Sequence, residues 1–419
     1  MRKLRLTSRR IRRTAAVGVL AALTLLVTAA PALGHGEAAQ EAFLRMRTIG
    51  WLDVQFSIPN NETLQQGDEF TITGTAKIMN TWPDTLAAGE PRIGFITVAT
   101  AGPVVVLKER TVNGVSTPGR IEIERGQFYD FELTLAARRT GEWHVHPAFA
   151  VKGAGTLLGP GQFINVEENP DGFTNDIQLA SGGGETINLE DYNTSFVWIW
   201  QLLTFLVGLG WMLYWTVPKF HRTVTNLAVT SQIPLNDDGV DVGLNSKRDH
   251  RVVNWFALAT IVLLVAGWIY QANAFPVKIP QQVIQFRPPP VEAPPLFAEA
   301  TAENATFSAD ENLIQFDLEV TNTGDSPMQL AQFVTSNLQF DNPEVEAGDR
   351  DLGVDPTGVI DPGETTTLQV AMRDNVFETE HLLPVGEAQL TIAGLAIFED
   401  EAGNRTDVEI DTPIAPTFD

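Results

Sequence analysis

Two stretches of this 419-residue sequence carry no charged side chain over a length that can cross a lipid bilayer. The first, SFVWIWQLLTFLVGLGWMLYWTV, occupies residues 195–217, and the second, VVNWFALATIVLLVAGWIYQAN, occupies 252–273. At a rise of about 1.5 Å per helical residue each spans roughly 33 Å, the thickness of a bilayer's hydrocarbon core. Six of the nine tryptophans lie in these stretches, several near the ends, where interfacial aromatic rings are favoured. A two-helix membrane hairpin is expected, dividing the remaining chain into a region before it, a short loop and a region after it.

The loop, residues 218–251, holds Lys219, Arg222, Lys247, Arg248 and Arg251. Basic loops stay on the cytoplasmic side, so the regions before 195 and after 274 are expected on the opposite face. The amino terminus gives the same orientation independently. MRKLRLTSRRIRR (1–13) has seven basic residues and no acid, and an apolar run, AAVGVLAALTLLVTAA, follows at 15–30. Ala32 and Gly34 then supply the small residues of a signal-peptidase site, so residues 1–34 read as a signal peptide. SRRIRR resembles a twin-arginine export signal, but Arg12 and Arg13 fall where that motif needs apolar residues, so ordinary secretion is expected. Cleavage makes His35 the first residue of the mature chain.

Charge and cysteine content exclude several function classes. The full sequence carries −24; without the leader it has 21 basic against 52 acidic residues, net −31. Such a surface does not attract nucleic acid or anionic lipid through basic residues. There is no cysteine, so a disulfide scaffold, a thiolate metal site and a cysteine nucleophile are all excluded. A Cys-bearing copper centre of the respiratory electron-transfer type is excluded with them.

The regions flanking the hairpin read as β-structure. FTITGTAKI (70–78), RIEIERG (120–126) and FYDFELTLAA (128–137) alternate apolar and polar residues between Gly, Pro and Asn signals. After a Pro-rich linker (274–296, containing FRPPPVEAPPL), LIQFDLEVTNTGDSPMQL and GVIDPGETTTLQVAM read as strands. Their turns are expected at Gly324–Asp325 and Asp361–Pro362–Gly363. Two β-sandwich domains, 35–190 and 297–419, are each long enough for a core of their own.

Six histidines are present, and three can form one site. His144 and His146, in GEWHVHPAF, alternate along a strand and so share a face, with Pro147 expected to end the regular pairing just beyond them. A terminal His35 adds an imidazole and an α-amine that loses its proton near neutral pH. This all-nitrogen set suits Cu(II), with zinc the alternative. Glu37 stands close enough in sequence to tune such an ion from outside its ligand shell.

The segments HGEAAQEAFLRMRTIGWLD, WPDT (82–85), GEWHVHP, LLGPGQFINVE (157–167), INLEDYN (187–193) and GNRTDVEIDTPIAP together resemble the B subunit of the copper membrane monooxygenases, which oxidise methane, ammonia or short-chain alkanes. The resemblance runs from the signal peptide to the carboxyl terminus. It implies two cupredoxin-like exterior domains joined by the transmembrane hairpin, with copper at His35, His144 and His146. It also implies assembly with two integral membrane partners, the A and C subunits, and a higher oligomer of that three-chain protomer, with the oxygen chemistry at copper in the C subunit. Many members carry a second copper between the exterior domains. The positions of two of its ligands read here as Gly50 and Thr406, so that site is expected to be absent.

Other residues receive simpler readings. His221 and His250 flank the loop and are expected at headgroups; His381 is expected to be a surface or packed histidine. The acidic tract EENPDGFTND (167–176) reads as a solvated loop. A copper storage or delivery protein could use the same three histidines without an oxygenase partner, and co-purification with two apolar polypeptides separates the two functions.

Overall fold

The computed structural model describes residues 46–83, 93–117, 119–178, 186–219, 247–275, 285–375, 377 and 390–417. These divide into two compact units: the β-structure on both sides of the hairpin forms one, and residues 174–281 form the other.

The N-terminal β domain contains β1 (Ile49–Phe56), β2 (Glu62–Gln65), β3 (Glu69–Ile78), β4 (Ile93–Ala99), β5 (Val105–Val112), β6 (Val115–Ser116), β7 (Arg120–Glu122), β8 (Phe128–Ala137), β9 (Gly141–Val151), β10 (Gly155–Leu158) and β11 (Gln162–Glu167). One sheet runs β1-β3-β8-β5-β6; the facing sheet runs β7-β4-β9-β11-β2, with β10 also on β9. The period-2 pattern seen in the sequence sets this layering. Ile72 and Leu133 from the first sheet meet Val145, Phe149 and Ile164 from the second in a shared core.

Residues 174–281 contribute a small ladder, β12 (Asp176–Gln178) with β13 (Thr186–Asn188), and two helices. Helix α1 (Thr194–Tyr214) widens into a π-turn over Trp215–Lys219, the segment holding Pro218, which has no N–H for the α-helical ladder. Helix α2 (Lys247–Ala274) begins five residues before the uncharged stretch. Both are long and apolar enough to cross a membrane, and almost none of either is buried within the protein. Large side chains such as Trp198, Trp255 and Trp268 face outward, an arrangement stable against hydrocarbon but costly against water. The helices touch through Phe196 on Tyr270, stacked at 5.1 Å, and Trp211 on Phe256. Gly267 admits the Trp200 ring, which would lie 2.3 Å from any Cβ there. At the loop end the Tyr214 hydroxyl donates to Asp249 Oδ1 at 2.5 Å, giving the buried carboxylate a partner.

The chain returns through β14 (Gln285–Phe286), which adds in parallel to β7, and the Pro-rich segment then follows the N-terminal domain. Asn113 Nδ2 donates to the Pro289 carbonyl at 2.7 Å, and Arg287 pairs with Glu124. The C-terminal β domain comprises β15 (Ala298–Ser308), β16 (Leu313–Asn322), β17 (Met328–Thr335), β18 (Leu338–Asp341), β19 (Leu352–Asp355), β20 (Thr365–Arg373), β21 (Thr391–Asp400) and β22 (Arg405–Thr417), in the order β18-β17-β21-β22-β15-β16-β20-β19.

The two β domains share a seam. Met46, just ahead of β1, is buried in the C-terminal core, while Trp51 five residues later is buried in the N-terminal core. Leu52 and Met79 meet Val334, Leu395 and Ile397 between them. Polar groups reinforce this contact: Lys77 pairs with Asp407 and Glu409, and Arg47 with Asp411 at 2.7 Å. Glu409 also accepts from the backbone N–H groups of Asn80 and Thr81.

Candidate metal centre

His144 and His146 stand on β9, the strand shared by β4, β10 and β11. Their neighbours Val145, Phe149 and Val151 point into the core, so both imidazoles leave from the opposite face. His146 is 5 % exposed. Its Nδ1 lies 2.8 Å from the Gly159 carbonyl oxygen, and a carbonyl only accepts. Nδ1–H is therefore the donor, and the lone pair of the neutral ring is left on Nε2. That Nε2 sits 2.9 Å from His144 Nδ1. The rings lie 4.2 Å apart with their planes at 75°. On its other side His144 stacks on Phe163, its cross-strand partner on β11, at 4.4 Å and 19°.

Glycines make this packing possible. A Cβ at Gly161 would lie 2.4 Å from His146 Cε1, and one at Gly159 would lie 2.8 Å from Trp51 Cδ2. The LLGPGQF segment thus folds over His146 and supplies its proton acceptor. Nothing in the ligand chemistry of the sequence assigns Gly159, Gly161 and Phe163 a role; the available signal is a Gly-Pro-Gly run with an aromatic two residues on.

The pairing expected to stop at Pro147 does not stop. β9 continues to Val151, with Pro147 opposite Val98 of β4. On the other edge, β11 pairs as far as Val145 and β10 begins at Ala148. Proline falls in the gap between those partners, where its missing N–H removes no ladder bond. The histidines consequently sit in mid-sheet and not at a strand end.

The donor set fits a copper or zinc ion. Two nitrogens bound to one ion at about 2.0 Å and roughly at right angles, the square-planar geometry of Cu(II), are about 2.8 Å apart, close to the 2.9 Å spacing of this pair. Two imidazoles do not complete a ligand shell. His35 and Glu37 lie outside the described residues, and among the described residues no three His, Asp or Glu converge on a metal-sized site. His221 and His381 also lie outside the described residues; His250 is exposed on α2.

Over residues 36–418 the sequence matches the family model for the monooxygenase B-subunit protein. It is 32% identical to the particulate methane monooxygenase alpha subunit of Methylococcus capsulatus (Bath) over 98% of each chain. The chain belongs to the B-subunit family of the copper membrane monooxygenases. As a member of that family it is part of a copper-dependent monooxygenase. Among solved structures, the cupredoxin domain of amoB from Nitrosocaldus yellowstonii aligns at 19% identity, covering 33% of this chain and 99% of that one with a TM-score of 0.25. The PapD-like domain 7 of human CEP192 aligns at 11% identity over 34% of this chain and 99% of that one, TM-score 0.16. At those scores neither likeness adds to the fold described above.

Gly50 and Thr406 both lie at the seam of this B-subunit chain. Gly50 pairs with Lys77 in the β1–β3 ladder, and a Cβ there would lie 2.2 Å from Leu395 Cδ1. Thr406 is buried on β22 beside Asp407.

Proposed function

We propose that this chain is the copper-holding, extracytoplasmic subunit of a membrane monooxygenase that hydroxylates methane, ammonia or a short-chain alkane with O2. His35, through its imidazole and its α-amine, His144 through Nδ1 and His146 through Nε2 would hold one copper ion in the N-terminal, cupredoxin-like domain. The observation that carries this reading is the 2.9 Å approach of two ring nitrogens, one with its lone pair already aimed by the Gly159 carbonyl. When bound, copper would supply a one-electron redox centre. The chain's own groups hold the His146 proton on Nδ1 and keep it there, while His144 must release its Nδ1 proton, or carry it on Nε2, to become a ligand. Glu37 is assigned an outer, charge-tuning role.

A single copper per chain is favoured. Gly50 has no donor atom, and Leu395 fills the space that a side chain there would need.

Oxygen activation is assigned to a partner. The uncharged stretches 195–217 and 252–273 contain no His, Asp or Glu, and intramembrane ligands are costly enough to stand out in a sequence. Asp249 precedes the second stretch and is engaged by Tyr214. The integral membrane A and C subunits are the proposed partners, in a higher oligomer of the three-chain protomer, with both β domains outside the cytoplasm.

The seam makes one experiment practicable, because the two β domains pack together without residues 174–281. The exterior unit, joined across that gap and loaded with copper, is compared with the intact complex by product formed per copper under the same chemical reductant. Only the complex is expected to hydroxylate methane, ammonia or a short alkane. Comparable turnover by the exterior unit would place the chemistry at its own histidines.

A further inference from the structure

We propose that Phe163 is a positioning residue for the histidine pair: its ring sets the plane of the His144 imidazole, so that Nδ1 faces His146 Nε2 before any metal arrives. The inference rests on the copper reading above and deepens it. His146 is held by burial, by the Gly159 carbonyl and by the Gly161 seat. His144 is only half-buried, and a half-buried imidazole with two side-chain torsions otherwise samples several rotamers.

Phe163 is placed to remove that freedom. The two rings are nearly parallel, 19° apart with centroids at 4.4 Å, an orientation set by the direct cross-strand register. The fold itself does not need a large apolar residue there. Ile164 and Val166 face the core from β11, whereas Phe163 is 37% exposed on the outer face. The platform is also clamped from the backbone. Phe163 N–H donates to Asn60 Oδ1 at 2.9 Å, its carbonyl accepts from Asn61 N–H at 2.8 Å, and Gln162 Nε2 donates to the Ile58 carbonyl at 3.1 Å. Presetting both rings removes an ordering cost that metal binding would otherwise meet.

The test uses the intact complex with its native mature amino terminus. Phe163→Leu deletes the stack while keeping apolar bulk, Phe163→Tyr keeps the stack, and Phe163→Thr is a second stack-deleting variant suited to a strand. Copper affinity is read by chelator competition, and ligand geometry by the Cu(II) electron paramagnetic resonance spectrum. Phe163→Leu and Phe163→Thr are expected to weaken copper binding roughly 10- to 100-fold and to change the spectrum, the range seen when outer-shell partners are lost. Phe163→Tyr is expected to retain both. Wild-type affinity and spectrum in either folded stack-deleting variant would overturn the positioning role, as would an equal loss in Phe163→Tyr. Retention of copper by His144→Ala/His146→Ala would instead overturn the metal reading and this inference with it.

Discussion

Lys77 of the N-terminal β domain reaches Glu409 of the C-terminal β domain, Nζ to Oε1 at 3.1 Å, in a seam where both side chains are about nine-tenths buried; Asp407 accepts from the same ammonium. One cation thus faces two carboxylates across the junction. Removing it leaves two buried charges uncompensated, whereas neutralising all three restores a balance.

Lys77→Met is therefore expected to destabilise the chain by about 3–5 kcal/mol. The triple variant Lys77→Met/Asp407→Asn/Glu409→Gln is expected to regain much of that loss. Denaturant melts followed by tryptophan fluorescence measure both. An unchanged melt for Lys77→Met would show that the seam does not depend on this cation.

Topology is open to single-cysteine labelling, because the sequence has no cysteine to mask the result. Lys108→Cys and Gly358→Cys, at exposed positions of the two β domains, are expected to react with a membrane-impermeant thiol reagent from outside intact cells. Asp237→Cys, in the basic loop, is expected to be protected until the membrane is opened. Outside labelling at 237, or protection at 358, contradicts the two-span arrangement.

Asp400 offers a pH test in the β21–β22 turn. Its carboxylate accepts from Asn404 Nδ2 at 2.8 Å, and from the backbone N–H groups of Asn404 and Ala402, which holds its pKa below the ordinary value of 3.8. A carboxyl whose native pKa is lowered binds fewer protons folded than unfolded, so its stabilisation is complete above 3.8 and is lost as pH falls through the native value. The melting-temperature gap between the wild type and Asp400→Asn is expected to stay level from pH 5 to 7 and to close below about pH 4. A gap that widens on acidification would reverse that sign.

Much of this architecture was legible in the sequence because it rests on periodicity. The alternation of FTITGTAKI and FYDFELTLAA corresponds to β3 and β8 nearly to the residue, and the uncharged runs correspond to α1 and α2. RIEIERG was less informative: only Arg120–Glu122 pairs, as β7, because the chain turns at Gly126. The seam was not legible, since Met46, Lys77 and Asp407 each look ordinary in their own segment and acquire meaning only from long-range contact. The family motif GNRTDVEIDTPIAP carries Arg405, Asp407, Glu409 and Asp411, which face partners across that seam. At the candidate metal centre, alternate-residue spacing is enough to bring His144 and His146 together. The Gly159 carbonyl and the Phe163 ring are not legible in the sequence, because a backbone oxygen and an apolar side chain carry no ligand signature.

Copper content of the purified complex, per copy of this chain, bears most directly on the proposed site. Three preparations are compared: the wild type with His35 as its first residue, His144→Ala/His146→Ala, and a chain in which one added residue ahead of His35 converts the α-amine to an amide. The wild type is expected to hold one copper in this chain beyond any held by its partners. The double variant is expected to lose that copper, and the extended chain to bind it more weakly, because one nitrogen ligand is gone while all three imidazoles remain. Equal copper content in wild type and double variant would contradict the assignment of His144 and His146 as ligands.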